Sequence, residues 1–169
     1  MTGLGLLPGL PSEPVAAVVA ALRARGETVA TAESLTGGLL TAALTSVAGS
    51  SAVVRGGLVV YATDLKATLA DVDADLLAER GPVDPDVAVA LAEGARLRCA
   101  ATYGVGLTGV AGPGPQDGKP VGTVYAALSG PDGTLLSSPV ATGGREEVRS
   151  VAVRAALDLI ARAVGTLSG

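Results

Sequence analysis

From Ser12 to Arg25 apolar residues recur at helical spacing, through Val15, Val18, Val19 and Leu22, and predict an amphipathic helix. Ser12 stands where a cap belongs, Pro14 falls in the first turn, and Gly26 stops the run. Thr28–Ala32 is β-rich and predicts the first strand. The turn Glu33–Gly38 then opens a helix over Leu39–Val47, and Ala48–Ser51 forms a loop. Val53–Tyr61 predicts a strand in which Gly56-Gly57 marks a bulge or a close backbone approach. A short helix starts at Thr63 or Asp64 and runs through Lys66 to Ala70, with another over Asp73–Glu79. Asp84-Pro85, a cap followed by proline, starts a helix that reaches about Ala100. Tyr103–Thr108 is a strand, and Gly109–Gly118 is a Gly/Pro loop. Val121–Ser129 and Thr134–Ala141 form a hairpin about Pro131-Asp132-Gly133, and a last helix runs from near Gly144 to near Val164. Helices alternating with buried strands, plus one hairpin, predict an α/β fold: a three-layer α/β/α sandwich with a mixed sheet. It forms a single domain over 12–169, after a loose tail at 1–11.

Composition narrows the chemistry mainly by what is missing. The chain has no histidine, so neither a Ser-His-Asp triad nor a Cys-His dyad can be built within it. With a single cysteine, Cys99, it can form no intrachain disulfide and no zinc site based on several thiolates. A general base must therefore be Asp, Glu, Lys, Tyr or a perturbed Cys. The net charge of −4 and the lack of a Lys/Arg stripe argue against a nucleic-acid partner. No apolar run approaches the roughly 20 residues of a membrane span. Met1–Pro14 lacks the cationic start of a signal peptide, so the expected setting is the cytoplasm. Lysine occurs only at Lys66 and Lys119 while arginine supplies the other positive charges, so each lysine invites a specific explanation.

Four constellations carry candidate chemistry. In Thr31–Gly38 a strand ends at Ser34, just before a helix N-terminus whose free N–H groups favour a developing anion. That is the setting of an activated serine beside an oxyanion hole, although an ordinary helix cap uses the same residues. In Tyr61-Ala62-Thr63-Asp64-Leu65-Lys66 a phenol and an ammonium come near one strand end. A lysine stripped of water drops its pKa and can take a proton; the alternative is a plain surface lysine in a first helical turn. In Gly106–Pro113 and Lys119–Tyr125, glycines bring backbone N–H groups near a ligand, or the segment is a well-packed connection. In Thr142–Glu147 a glycine pair and Arg145 at a helix start suit a phosphate or carboxylate, or else simply cap the helix. Gly104–Gly109 matches GxGxxG in letters, but it lies within a strand and runs into a proline-rich loop, so no dinucleotide fingerprint is read there.

Taken in order, Ala32-Glu33-Ser34-x-Thr36-Gly37-Gly38, Ala48-Gly49-Ser50-Ser51, Gly56-Gly57 through Tyr61 to Lys66, Thr108-Gly109-x-Ala111-Gly112-Pro113 and Lys119–Val124 resemble the C-terminal domain of the CinA family. The resemblance covers the chain from about Ser12 to the final helix. Standing alone, such a domain is a nicotinamide-nucleotide amidohydrolase. The resemblance therefore implies hydrolysis of nicotinamide mononucleotide to nicotinic acid mononucleotide and ammonia, with no metal and no cofactor. It implies Ser34 and Lys66 as the catalytic pair, with Ser51 as a catalytic residue that relays the proton between them. Tyr61, Thr108 and Arg145 would bind or support substrate. Backbone groups of Thr36 and Gly37 would hold the oxyanion, and Gly109 would line the site. A homodimer is also expected. Many members carry Cys where this chain has Leu35, so no thiol is required at that position here. Two competing readings are a non-catalytic nucleotide-binding module of the same family and a nicotinamide-dependent oxidoreductase. The second rests only on the GxGxxG letters and on Tyr61 near Lys66.

Overall fold

A computed structural model describes residues 12–167, so the tail expected at 1–11 lies outside the described residues. The elements are α1 (Ser12–Arg25), β1 (Val29–Glu33), α2 (Leu39–Thr45), β2 (Val54–Val59), α3 (Thr63–Ala70), α4 (Ala74–Arg80), α5 (Pro85–Arg98), β3 (Tyr103–Gly109), β4 (Val124–Gly130), β5 (Gly133–Ser137) and α6 (Arg145–Ala163). A single 3-10 turn, Ser50–Ala52, precedes β2. The strands form one five-stranded sheet in the order β2-β1-β3-β4-β5. β2, β1 and β3 run parallel, while β4 and β5 are antiparallel additions. The expected mixed sheet between helical layers is present. One layer packs α1, α2 and α6 over Val29, Val105, Leu107 and Leu128. The other packs α3, α4 and α5 over Ala30, Ala32 and Val60.

The fully buried β1 is the axis of the molecule. Its chain leaves through α2 to β2 on one side, while β3 pairs with it on the other. The carboxyl ends of three parallel strands therefore open onto one crevice, where α/β sheets of this kind place their ligands. Both sequence readings of Gly56-Gly57 hold. The register slips between Val29 and Ala30, which pair with Val54 and Gly56 and leave Arg55 as the extra residue. A Cβ on Gly57 would lie 2.7 Å from Thr31 Oγ1 and closer still to Thr41 Oγ1.

The glycines of the GxGxxG match serve packing. A Cβ on Gly104 would run into the Ala92 carbonyl, and one on Gly106 into the Ala88 carbonyl, so α5 lies directly against the β3 backbone. Gly104→Ala or Gly106→Ala would push α5 off the sheet. Each is expected to cost about 1–3 kcal/mol, read as a lower urea midpoint. An unchanged midpoint would mean that the helix moves freely.

The hairpin is shorter than its apolar pattern suggests. Gly122, with φ 92, packs against the Ala141 carbonyl, so β4 begins at Val124 rather than Val121. Pro139 has no N–H to continue the ladder, so β5 ends at Ser137 and Val140 returns only as an isolated bridge to Thr123.

Candidate active site

Ser34 follows β1 directly, and its N–H donates to the Leu107 carbonyl at 3.0 Å, which ties the start of the turn to β3. Lys66 lies on α3, one strand over, and its side chain runs back beneath the crevice with 1% exposure. The Nζ lies 3.0 Å from Ser34 Oγ, 2.8 Å from the Val60 carbonyl and 3.3 Å from that of Tyr61. Among the described residues no carboxylate forms an ion pair with it. Burial without a counter-ion lowers the lysine pKa from 10.5 to about 8.

A neutral amine has two hydrogens and one lone pair. When the carbonyls of Val60 and Tyr61 take the hydrogens, the lone pair faces Ser34 Oγ. The pair is thus arranged for Lys66 to accept the serine proton once it has lost its own. Acylation of Ser34 by a serine-directed reagent should therefore rise with pH and reach half its plateau near pH 8. A rate flat from about pH 6.5 to 9.5 would show that Lys66 is not the base, because the neutral fraction of a lysine with a pKa near 8 changes steeply across that window.

The turn after Ser34 is held by a buried carboxylate. Glu33 Oε2 accepts from the N–H groups of Gly38 and Leu40, both at 3.1 Å, and Oε1 accepts from Thr41 N–H and Thr41 Oγ1, both at 2.8 Å. Glu33 therefore satisfies the first turn of α2, and Ser34 Oγ is left facing Lys66. Gly37 N–H is also committed, donating to the Ser34 carbonyl at 3.1 Å. Among the described residues, the N–H groups of Leu35 and Thr36 have no acceptor. Leu35 lines the crevice.

The crevice encloses about 400 Å³ between this turn, the start of α3, the Pro82-Val83 connection and the loop after β3. Tyr61, Thr108, Gly109 and Arg145 line it with Ser34 and Lys66, so the structure brings six of the sequence-derived site residues together. Arg145 donates to the Gly112 carbonyl at 2.7 Å and to Tyr61 Oη at 3.1 Å, which joins α6 to both rims. Thr108 Oγ1 donates to the Pro82 carbonyl at 2.7 Å and keeps lone pairs for a donor in the crevice.

Three expectations are corrected. Ser51 lies in the exposed turn that enters β2, at the amino end of the parallel strands, whereas Ser34 and Lys66 meet at the carboxyl end. It is not placed to relay their proton. Thr36 is wholly buried, its hydroxyl has no partner, and it does not line the crevice. Gly37 is exposed and also outside the crevice, and its N–H is already bonded to Ser34.

Leu35, Thr63, Val83 and Gln116 line the crevice unforeseen. The signal for Leu35 was its place beside the serine. The connection containing Val83 offered none. Among the described residues no group of His, Cys, Asp and Glu is gathered to hold a metal ion.

An α/β sheet with a buried serine–lysine pair at the carboxyl ends of its parallel strands defines the class of protein. The profile of the CinA C-terminal domain matches residues 12–164, and the chain belongs to that family. It is 48% identical over 165 residues to a CinA-like protein of Frankia casuarinae, covering 98% of this chain and 38% of the relative. It is 52% identical over 146 residues to a CinA-like protein of Anaeromyxobacter, covering 86% of this chain and 36% of the relative. The chain thus spans little more than a third of these curated relatives. Among solved structures, the competence/damage inducible protein CihA of Agrobacterium tumefaciens superposes with a TM-score of 0.87 at 38% identity, covering 94% of this chain and 98% of that one. A CinA superfamily protein of Escherichia coli gives 0.86 at 30% identity, covering 90% and 89%.

Proposed function

We propose that this chain hydrolyses the carboxamide of nicotinamide mononucleotide to nicotinic acid mononucleotide and ammonia by a serine–lysine mechanism. The observation that carries this reading is the buried Lys66 amine 3.0 Å from Ser34 Oγ, facing a crevice that an arginine closes. Neutral Lys66 takes the Ser34 proton as Oγ bonds to the carboxamide carbon. The carbonyl oxygen becomes an oxyanion, and the Leu35 N–H is assigned to receive it. As the intermediate collapses the C–N bond breaks, and Lys66 passes its proton to the departing ammonia. Water then attacks the acyl ester with Lys66 again as base. The C–Oγ bond breaks, Ser34 is reprotonated, and the acid leaves.

Arg145 is assigned the 5′-phosphate. Two of its five N–H donors hold Gly112 and Tyr61, and three remain. A charge-assisted bond is worth about 1.5–3 kcal/mol, so nicotinamide riboside should show a specificity constant about 10–100-fold below that of the mononucleotide. Arg145→Met should erase most of that gap. Equal constants for the two substrates in the wild type would remove Arg145 from phosphate binding. Nucleotide binding without ammonia release would instead favour the non-catalytic module. The same reading includes a cytoplasmic homodimer. Leu136 in edge strand β5 and Val140 just beyond it, 44% and 85% exposed, offer apolar surface for such a contact. Among the described residues no helix is long and apolar enough to cross a membrane.

A further inference from the structure

Arg149 lies four residues after Arg145 on α6, so both guanidinium groups project from one face of the helix. Arg145 reaches the crevice rim, whereas Arg149 reaches beneath the nucleophile turn. Its Nε donates to the Leu35 carbonyl at 3.0 Å and its Nη2 to the Thr36 carbonyl at 3.2 Å. Two successive peptide carbonyls are thus held by one planar fork. A Cβ on Gly37, where φ is 56, would lie 3.9 Å from the same Nη2, so the guanidinium rests against the turn.

In a trans peptide the carbonyl and the N–H point in opposite directions. Holding the Leu35 carbonyl toward α6 turns the Thr36 N–H away from α6. Holding the Thr36 carbonyl keeps the Gly37 N–H on the Ser34 carbonyl, and that bond turns the Leu35 N–H outward. Glu33 takes the N–H groups farther along the turn. Among the described residues, Arg149, Glu33 and the turn's own backbone bonds take the neighbouring carbonyls and N–H groups and leave Leu35 N–H and Thr36 N–H without acceptors.

We propose that Arg149 is a positioning residue that holds the Leu35 N–H toward the oxyanion, and so sets the rate of acyl transfer without touching substrate. The proposal rests on the serine–lysine reading and deepens it. Without the fork, the two peptides that follow Leu35 can rotate, the Gly37 N–H loses its hold on the Ser34 carbonyl, and the Leu35 N–H is no longer aimed. Lysine in its place supplies one point charge and cannot bridge two carbonyls in fixed geometry.

The test is the rate at which an alkyl fluorophosphonate labels Ser34, measured from pH 6 to 10 and beside ammonia release from nicotinamide mononucleotide. Labelling needs the nucleophile, its base and the oxyanion donors but no nucleotide site. Arg149→Gln is expected to lower the labelling plateau about 10–100-fold, somewhat less than the loss of a whole oxyanion donor. The midpoint near pH 8, set by Lys66, should stay in place. Turnover should fall in parallel with KM nearly unchanged. Arg149→Lys should fall between Arg149→Gln and wild type. If Arg149→Gln does not fold, Arg149→Lys decides alone, with a plateau about tenfold below wild type expected for a donor weakened but not lost.

A wild-type plateau in a folded variant would overturn the proposal, even with a lowered melting temperature, because Arg149 would then be structural only. A shifted midpoint with an unchanged plateau would overturn it too, by placing the effect on Lys66. Labelling that falls in the variant while wild type releases no ammonia would uphold the proposal and refute the substrate. Unchanged labelling with wild-type ammonia release would do the reverse.

Discussion

Lys66→Arg is expected to lose nearly all turnover, by about 10²–10⁴-fold, as completely as Lys66→Met. The two variants fail for the same chemical reason although one side chain is neutral and the other cationic. Methionine has no basic nitrogen, and a guanidinium stays protonated at every pH the enzyme meets, so neither can take the Ser34 proton. Arginine also brings a bulkier group with a permanent charge into a site where the lysine is 1% exposed and, among the described residues, has no carboxylate partner. Stability carries a second signature of the same group. The folded pKa is depressed from 10.5 to about 8, so between those values the unfolded chain holds a proton that the folded chain has released. Wild-type stability relative to Lys66→Met should therefore rise with pH across that window, be flat above it, and be lowest below pH 8. Lys119, in the loop whose backbone bridges back to Gln116, is the control, and Lys119→Arg should leave turnover near wild type. A Lys66→Arg variant that kept most of its turnover would reduce Lys66 to an electrostatic anchor.

The elements were legible wherever their signals were local. Asp84-Pro85 marked the start of α5, and the Asp84 carboxylate does accept from Asp86 N–H at 2.8 Å. Gly26, with φ 65, does end α1. The hairpin was overextended because its limits are tertiary: the close approach of Gly122 to Ala141, and the position of Pro139 relative to its neighbour strand. Ser34 and Lys66 stood out through turn chemistry and the scarcity of lysine. Their meeting across 32 positions depends on β1 and β2 being parallel neighbours, so that both chains emerge at one edge. The misplacement of Ser51 was avoidable. In a parallel βαβ unit the residues entering a strand lie at the opposite end from those leaving it. The Arg145–Arg149 spacing was also visible, but its meaning required knowing which turn α6 packs against. The oxyanion donor proposed above was not legible, because Glu33 and the Ser34 carbonyl consume neighbouring N–H groups only in the folded turn.

Ser34→Ala is expected to abolish ammonia release, by more than about a thousandfold, while nucleotide still binds. The structure separates this loss from any loss of fold. Ser34 Oγ bonds to Lys66 Nζ and caps no helix, because Glu33 performs that task for α2. Its removal takes one hydroxyl from a nearly buried position and leaves the Lys66 hydrogens on the Val60 and Tyr61 carbonyls. The expected stability change is within about 1 kcal/mol, checked by urea denaturation. Arg145, Tyr61 and the loop after β3 are untouched, so calorimetric titration with the mononucleotide should return an affinity close to that of wild type. Ser51→Ala, altered on an exposed turn at the far end of the strands, should keep wild-type turnover. Appreciable ammonia release by Ser34→Ala, with an acylating analogue mapped to another residue, would transfer the nucleophile's role. No other described hydroxyl is hydrogen-bonded to the buried lysine, so that result would also require the crevice to rearrange.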